Sequence, residues 1–135
     1  MAPPSSDTHR LVSTYLQALT TRDIPALMTC FADRVDWGVP GARDLASWLG
    51  PRQQRAEIQQ FFELLFAHTA PVDAQLEHLL VAGPVAIVTG TFASTLRQTG
   101  RLFTSPFFLL LTVAQGKIVR YRLLEDTHAL VVALT

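Results

Sequence analysis

The sequence predicts an α+β fold, a curved mixed or antiparallel sheet wrapped as a cone-shaped barrel around three N-terminal helices. Three observations carry this reading. Apolar residues recur at helical spacing up to about His68 and at strand spacing after it. The strand-like runs are joined by short turn signals, Gly83-Pro84, Gln98-Thr99-Gly100 and Gln115-Gly116, which imply antiparallel neighbours. The runs VAIVTGTFASTLR and RLFTSPFFLLLTV are apolar on both faces, with Phe103, Phe107, Leu109 and Leu111 on one side and Phe108 and Leu110 on the other. A strand half exposed to water alternates apolar and polar residues, so each face of this sheet needs a cover. Helices cover one side, and a ligand-sized pocket or a second subunit accounts for the rest.

Residues 1–7 are rich in Pro and Ser and read as a flexible tail, leaving 8–135 as a single domain. Ser6 or Asp7 can cap a first helix that runs to about Thr20, with the stripe Val12, Tyr15, Leu16 and Leu19. Asp23 caps a short second helix with Pro25 in its first turn, and Ile24, Leu27, Met28 and Phe31 repeat the spacing. A short strand follows over Val35–Val39 and ends at Pro40-Gly41; residues 41–52 read as a loop. The third helix spans about Gln53 to His68, with the stripe Ile58, Phe61, Phe62, Leu65 and Phe66, and Ala70-Pro71 stops it. VDAQLEHLL then alternates strictly, which puts Val72, Ala74, Leu76, His78 and Leu80 on one face, expected to point inward. The segment from Thr127 to Thr135 fits a final helical turn or an edge strand equally well.

Composition narrows the function. Of 135 residues, 49% are hydrophobic and 16% charged, an apolar excess that again points to a buried interface or cavity. Eleven basic and eleven acidic side chains cancel, and no Lys/Arg cluster interleaves with aromatics, so nucleic acid and anionic membranes are not the expected partners. Cys30 is the single cysteine, so no intrachain disulfide forms and a reducing compartment is expected; beside Met28 and Phe31 it reads as a small core residue on a helix rather than a nucleophile. The N-terminus lacks a signal-peptide pattern and no stretch reaches membrane-spanning length, which predicts a soluble, cytoplasmic protein. His9, His68 and His128 are scattered, no set of residues has metal-ligand spacing, and no phosphate loop is present, so neither a metal nor another cofactor is expected.

The order of elements and the residues at their joints resemble a known superfamily. YLQALTTRDIPALMTCFADRVDW at the start, RAEIQQFFELL in the third helix and TGRLFTSPFFLLLTVAQGKIVRYRLLEDT at the end are similar to the nuclear transport factor two-like superfamily, in its SnoaL-like and ketosteroid-isomerase-like branch. The resemblance implies a conical α+β barrel with a hydrophobic pocket, often dimeric. Such proteins include isomerases, epoxide hydrolases, polyketide cyclases, dehydratases and pure binding modules, and fold alone does not choose among them. On this resemblance Tyr15 stands where steroid isomerases carry their oxyanion-hole tyrosine. The position of their catalytic base is Val39 here, and that of their protonated aspartic acid is Phe108. With both acids absent, steroid-isomerase chemistry is not implied. Limonene epoxide hydrolases have a last strand resembling YRLLED, with a further acid where Leu123 stands. The same resemblance directs Tyr121, Leu123 and Glu125 toward the pocket and Arg120, Arg122 and Asp126 away from it.

Four residues could carry acid–base work. His78, among inward apolar positions, could be a general base near neutral pH, or a hydrogen-bonded histidine at the barrel rim or a dimer interface. Glu125 in an apolar pocket would have a raised pKa and could serve as acid or base; otherwise it is a solvated strand end. Asp126 could do the same work or cap the turn at Thr127-His128. Tyr15 could donate to a developing oxyanion or simply pack with its hydroxyl at the pocket edge. Asp36 is expected to face outward. Trp37, Trp48, Phe62, Phe108, Tyr121 and Leu123 are the expected substrate-contacting walls. The sequence thus predicts a cofactor-independent acid–base enzyme performing isomerisation, cyclisation, dehydration or water addition on a small apolar molecule. The alternative is a non-catalytic binding or dimerisation module of the same fold. A homodimer through the outer sheet face is expected in either case.

Overall fold

The computed structural model describes residues 4–135. In chain order the elements are α1 (Ser5–Thr20), α2 (Ile24–Met28), β1 (Phe31–Val39), β2 (Gly50–Gln54), α3 (Arg55–His68), β3 (Thr69–Ala82), β4 (Val85–Leu96), β5 (Leu102–Ala114), β6 (Lys117–Glu125) and α4 (Thr127–Leu134). The strands form one curved, unclosed six-stranded sheet in the order β2-β1-β6-β5-β4-β3. All neighbours are antiparallel except β1 and β6, so the sheet is mixed. No helix of the described residues is long and apolar enough to cross a membrane.

Helix α1 buries Val12, Tyr15 and Ala18, and Leu16 and Leu19 are partly buried beside them. It starts a turn earlier than its expected caps. Pro4 is the N-cap, and Ser6 and Asp7 lie inside the first turn, where Asp7 complements the helix dipole. The helix thus takes in residues 5–7 of the expected tail, and residues 1–3 of that expectation lie outside the described residues. Helix α1 is also tied to the β3–β4 turn, because the Thr8 hydroxyl donates to the Gly83 carbonyl at 2.7 Å and the Gly83 amide donates to Ser5 Oγ at 2.9 Å. Asp23 caps α2, with Oδ1 accepting from the Ala26 amide at 3.1 Å.

The remaining boundaries depart from the sequence reading for identifiable reasons. Phe31 belongs to β1 rather than to the α2 stripe, and buried Cys30 lies in the turn between them rather than on the helix. Across the end of the expected loop and the expected start of the third helix, Gly50–Gln54 forms β2, an edge strand in which Pro51 is tolerated because one side of the backbone has no ladder to satisfy. β3 begins directly at Thr69 and runs through Pro71 as the opposite edge.

Strand β3 also carries the largest correction. Register shifts between Pro71 and Asp73 and between Leu76 and His78 interrupt its alternation. Past the second shift Leu79 and Val81 oppose the inward Val88 and Ala86, whereas His78 and Leu80 oppose the outward Thr89 and Ile87. Gly90 permits the second bulge. A Cβ there would overlap the Gln75 carbonyl oxygen and meet the Phe107 ring at 2.9 Å.

The concave face of the sheet is filled rather than hollow. Tyr15, Phe31, Trp37, Phe61, Phe62 and Tyr121 form one aromatic cluster with neighbouring ring centroids 4.0–6.5 Å apart. The segment left open between helix and strand is α4, which caps the inner face of β5 and buries Leu130, Ala133 and Leu134. The convex face has no cover: Leu80, Ile87, Phe108 and Leu124 are exposed there.

Candidate active site

The alternation of β6 builds the site. Tyr121, Leu123 and Glu125 face inward, opposite Leu111, Leu109 and Phe107 of β5. Arg122 and Arg120 face outward and pair with Asp36 at 2.7 and 3.6 Å. Glu125, the last residue of the strand, borders a small, partly open cavity of about 30 Å³. Its apolar wall includes Trp48, Leu65, Phe92, Phe103 and Leu130, and its polar lining is Glu125, Ser94 and Thr69. A cavity of this size holds about one water molecule.

Glu125 is the one carboxyl group that the fold places among these apolar walls. Its apolar surroundings push its pKa up to about 7 with no hydrogen bond or opposite charge to offset them, while the residue keeps partial exposure to solvent. A carboxyl group at this value exchanges protons readily at neutral pH. Thr69 is already engaged, its hydroxyl donating to the Leu65 carbonyl at 2.7 Å and accepting from Arg22 Nη2 at 3.1 Å. Arg22 lies over the Phe66 ring at 4.6 Å and also donates to the Thr69 carbonyl, fixing the α3–β3 corner of the cavity.

Tyr15 and Tyr121 form a second polar group one layer deeper. Their hydroxyls are 2.6 Å apart. Burial raises both pKa values far above neutral pH, so both stay protonated and act only as hydrogen-bonding groups. Trp37 stacks on Tyr121 with ring centroids 4.0 Å apart and planes within 7°, and its Nε1 is buried without an acceptor. Leu123 lies between Tyr121 and Glu125 on the same strand face, so the tyrosine pair and the cavity are adjacent but not continuous.

The other predicted residues fall in several places. Trp48 lines the cavity and stacks on His68, centroids 5.5 Å apart. Trp37, Phe62 and Tyr121 are in the filled core and Leu123 is partly buried beside it. His78 is exposed on the convex face, because the bulge at Leu76–His78 reverses the side to which it points. Phe108 is also convex and 57% exposed, its inward neighbours being Phe107 and Leu109. Neither His78 nor Phe108 borders the cavity. Asp126 caps α4, its Oδ1 accepting from the Ala129 amide at 2.9 Å. Ser94, Leu65, Phe92, Phe103 and Leu130 line the cavity without having been singled out from sequence. A signal for Ser94 existed, since it is a polar residue at an inward position of β4, in step with Phe92 and Leu96. No group of three or more His, Cys, Asp or Glu among the described residues could hold a metal ion.

This architecture defines a class, and sequence comparison names it. Residues 12–121 match the SnoaL-like domain, and the chain belongs to that family. Its fold is that of the wider nuclear transport factor two-like group. An NTF2-like protein from Burkholderia xenovorans superposes with a TM-score of 0.86 at 19% identity, over 97% of this chain and 98% of that one. An NTF2-like protein from Burkholderia pseudomallei gives 0.86 at 22% identity, over 96% and 98%. A protein from Pseudomonas putida named as a polyketide cyclase gives 0.74 at 17% identity, over 93% and 96%. At these identities the likeness is one of fold. No curated protein matches the chain in sequence. The family match ends before Glu125 and α4, so those residues rest on the geometry described above.

Proposed function

We propose that this protein is a SnoaL-like enzyme performing cofactor-independent acid–base chemistry on a small, largely apolar molecule, with Glu125 as the group that moves the proton. The observation that carries this reading is the carboxyl of Glu125, bordering an apolar cavity without an ionic partner and with a pKa of about 7. One such group suits a reaction in which a proton leaves one atom of a substrate and returns at another. Isomerisation and cyclisation have that form, and the polyketide cyclase name carried by a protein of the same fold is in keeping with it. Tyr15 and Tyr121 would serve as neutral hydrogen-bond donors to an oxygen that gains charge, once a substrate displaces Leu123 and reaches them.

The cavity volume favours a second reading. About 30 Å³ admits water but no organic substrate, as in a domain that has kept the fold for binding or assembly alone. Proton exchange in D2O separates the two. Cyclic ketones and β-diketones incubated with the protein should show NMR-detected deuterium uptake at the carbon next to the carbonyl. Glu125→Gln should lower that uptake by about a hundredfold, the scale of general-base catalysis. Ligands that bind without exchanging would identify the non-catalytic module.

The convex sheet face is proposed as the contact for a second copy of this chain. Its exposed apolar residues lie in cross-strand rows: Leu80 and Ile87 with partly buried Leu110 in one, and Phe108 and Leu124 with partly buried Thr89 and exposed His78 in the next. Asp36, Arg120 and Arg122 flank them with both signs of charge, and the chain as a whole is neutral, so a twofold copy meets no net repulsion.

A further inference from the structure

We propose that α4 is the movable wall of the Glu125 cavity, and that ligands reach Glu125 when this helix swings off a latch on the β4–β5 turn. The proposal rests on the reading of the cavity as a ligand site. Among the elements around the cavity, α4 follows the last strand after the single residue Asp126 and lays Leu130 across the wall beside Glu125. The other walls are sheet strands, the corner fixed by Arg22, and Trp48 held against His68.

The polar attachments of α4 are few and lie at its ends. At the start, the Asp126 amide donates to Ser105 Oγ at 2.8 Å, and the Asp126 side chain closes the first turn by accepting from Ala129. At the end, the Thr99 hydroxyl donates to the Ala133 carbonyl at 2.7 Å, and Arg101 Nη1 donates to the Val132 carbonyl at 3.3 Å. The Ala133 carbonyl lies in the last turn, where a helix offers no internal donor, and the Val132 carbonyl is shared with the Thr135 amide and hydroxyl at 3.4 Å, so the latch competes with water and with the helix's own cap. Thr99 Oγ1 also accepts from the Arg101 amide at 3.3 Å, which holds both latch residues in one turn. Between hinge and latch the helix is held by apolar packing alone, while Val132 stays half exposed. An element with few contacts and solvent-competed end bonds opens at lower cost than the sheet beneath it. Displacing Leu130 widens the opening in front of Glu125, which in the closed position is only partly exposed.

The test uses the full chain without ligand or turnover, so its failure and the failure of the catalytic reading show up in different experiments. Hydrogen exchange should find the amides of Leu130 and Thr135 exchanging at least about tenfold faster than those of β5 and β6, and faster again in Thr99→Val/Arg101→Ala. The sequence contains only two tryptophans, Trp37 and Trp48. In a Trp37→Phe background Trp48 therefore reports on the cavity by itself, and the same latch substitutions should raise its acrylamide quenching constant severalfold. The proposal is overturned if the α4 amides exchange only at the rate of the sheet. It is equally overturned if the unlatched helix exchanges faster while Trp48 remains as shielded as before.

Discussion

The Tyr15 and Tyr121 hydroxyls meet at 2.6 Å in the interior, joining the first helix to the last strand across 106 residues of chain. Each hydroxyl is the other's buried partner. Removing one therefore leaves a polar group stranded among Phe31, Phe62 and Trp37. Tyr15→Phe or Tyr121→Phe alone should cost about 1–3 kcal/mol, the usual penalty for an unsatisfied buried hydroxyl. The double substitution should cost clearly less than the sum of the two, because it removes both partners at once. Urea denaturation of the four proteins measures this coupling, and strict additivity would contradict the pairing.

Glu125 should leave a signature in stability as well as in catalysis. Its pKa is about 7 in the folded chain, against an ordinary value of 4.5. Between those two values the folded chain keeps a proton that the unfolded chain has released, so rising pH favours unfolding. The stabilisation is complete below about pH 4.5, fades as pH rises, and is gone above about pH 7. Relative to wild type, Glu125→Gln should therefore gain on the order of 3 kcal/mol from pH 4.5 to pH 7.5. Parallel stability–pH curves for the two proteins would place the Glu125 carboxyl in water.

Gly90 tests the backbone of the barrel wall. A methyl group at this position overlaps the Gln75 carbonyl oxygen and presses on the Phe107 ring at 2.9 and 3.0 Å. The ring can tilt, but the carbonyl belongs to a paired strand. Gly90→Ala should cost roughly 3 kcal/mol or more, at the upper end of overpacking penalties. The loss would be read as a drop in melting temperature, together with faster amide exchange around Gln75 and Leu76. Gly83 is the control, since no atom lies within 4 Å of its added Cβ, leaving only the cost of its positive φ of 57°.

The contrast between β3 and β6 explains how much of this was legible in the sequence. β6 keeps an unbroken register with β5 from Arg120 to Glu125, and the inward direction of Glu125 was legible only through the family resemblance, because apolar Leu124 points outward and charged Glu125 inward. The helices were equally legible, because Val12, Tyr15, Leu27, Ile58 and Phe62 repeat at helical spacing and are buried as a group. β3 alternates just as strictly in composition, but each of its two register shifts reverses the faces that follow. No residue type announces a bulge in advance, and His78 was carried to the wrong side. Phe108 failed for another reason. Where both faces of a strand are apolar, composition does not distinguish the core from an uncovered surface. The short apolar run from Thr127 fits helix and strand alike, so the wall that Leu130 supplies to the cavity had no sequence signal of its own.

That uncovered surface yields the last prediction. Phe108 and Leu124 are cross-strand neighbours on the convex face, 57% and 54% exposed, with Leu80 exposed further along the sheet. Large apolar side chains exposed side by side on a sheet, rimmed by Asp36, Arg120 and Arg122, have the make-up of an interaction site. A twofold copy buries the same rows against themselves, so one substitution acts twice in every interface. Phe108→Lys places two ammonium groups in the buried contact, where desolvation and mutual repulsion both oppose association. Wild-type protein at micromolar concentration should run as a dimer in light-scattering chromatography, and Phe108→Lys as a folded monomer with an unchanged far-ultraviolet spectrum. His78 stands at the edge-strand end of the row that holds Thr89, Phe108 and Leu124, so His78→Ala should weaken the dimer less than Phe108→Lys does. A wild-type chain that is monomeric at hundreds of micromolar would show that the convex face is not the contact for a second copy.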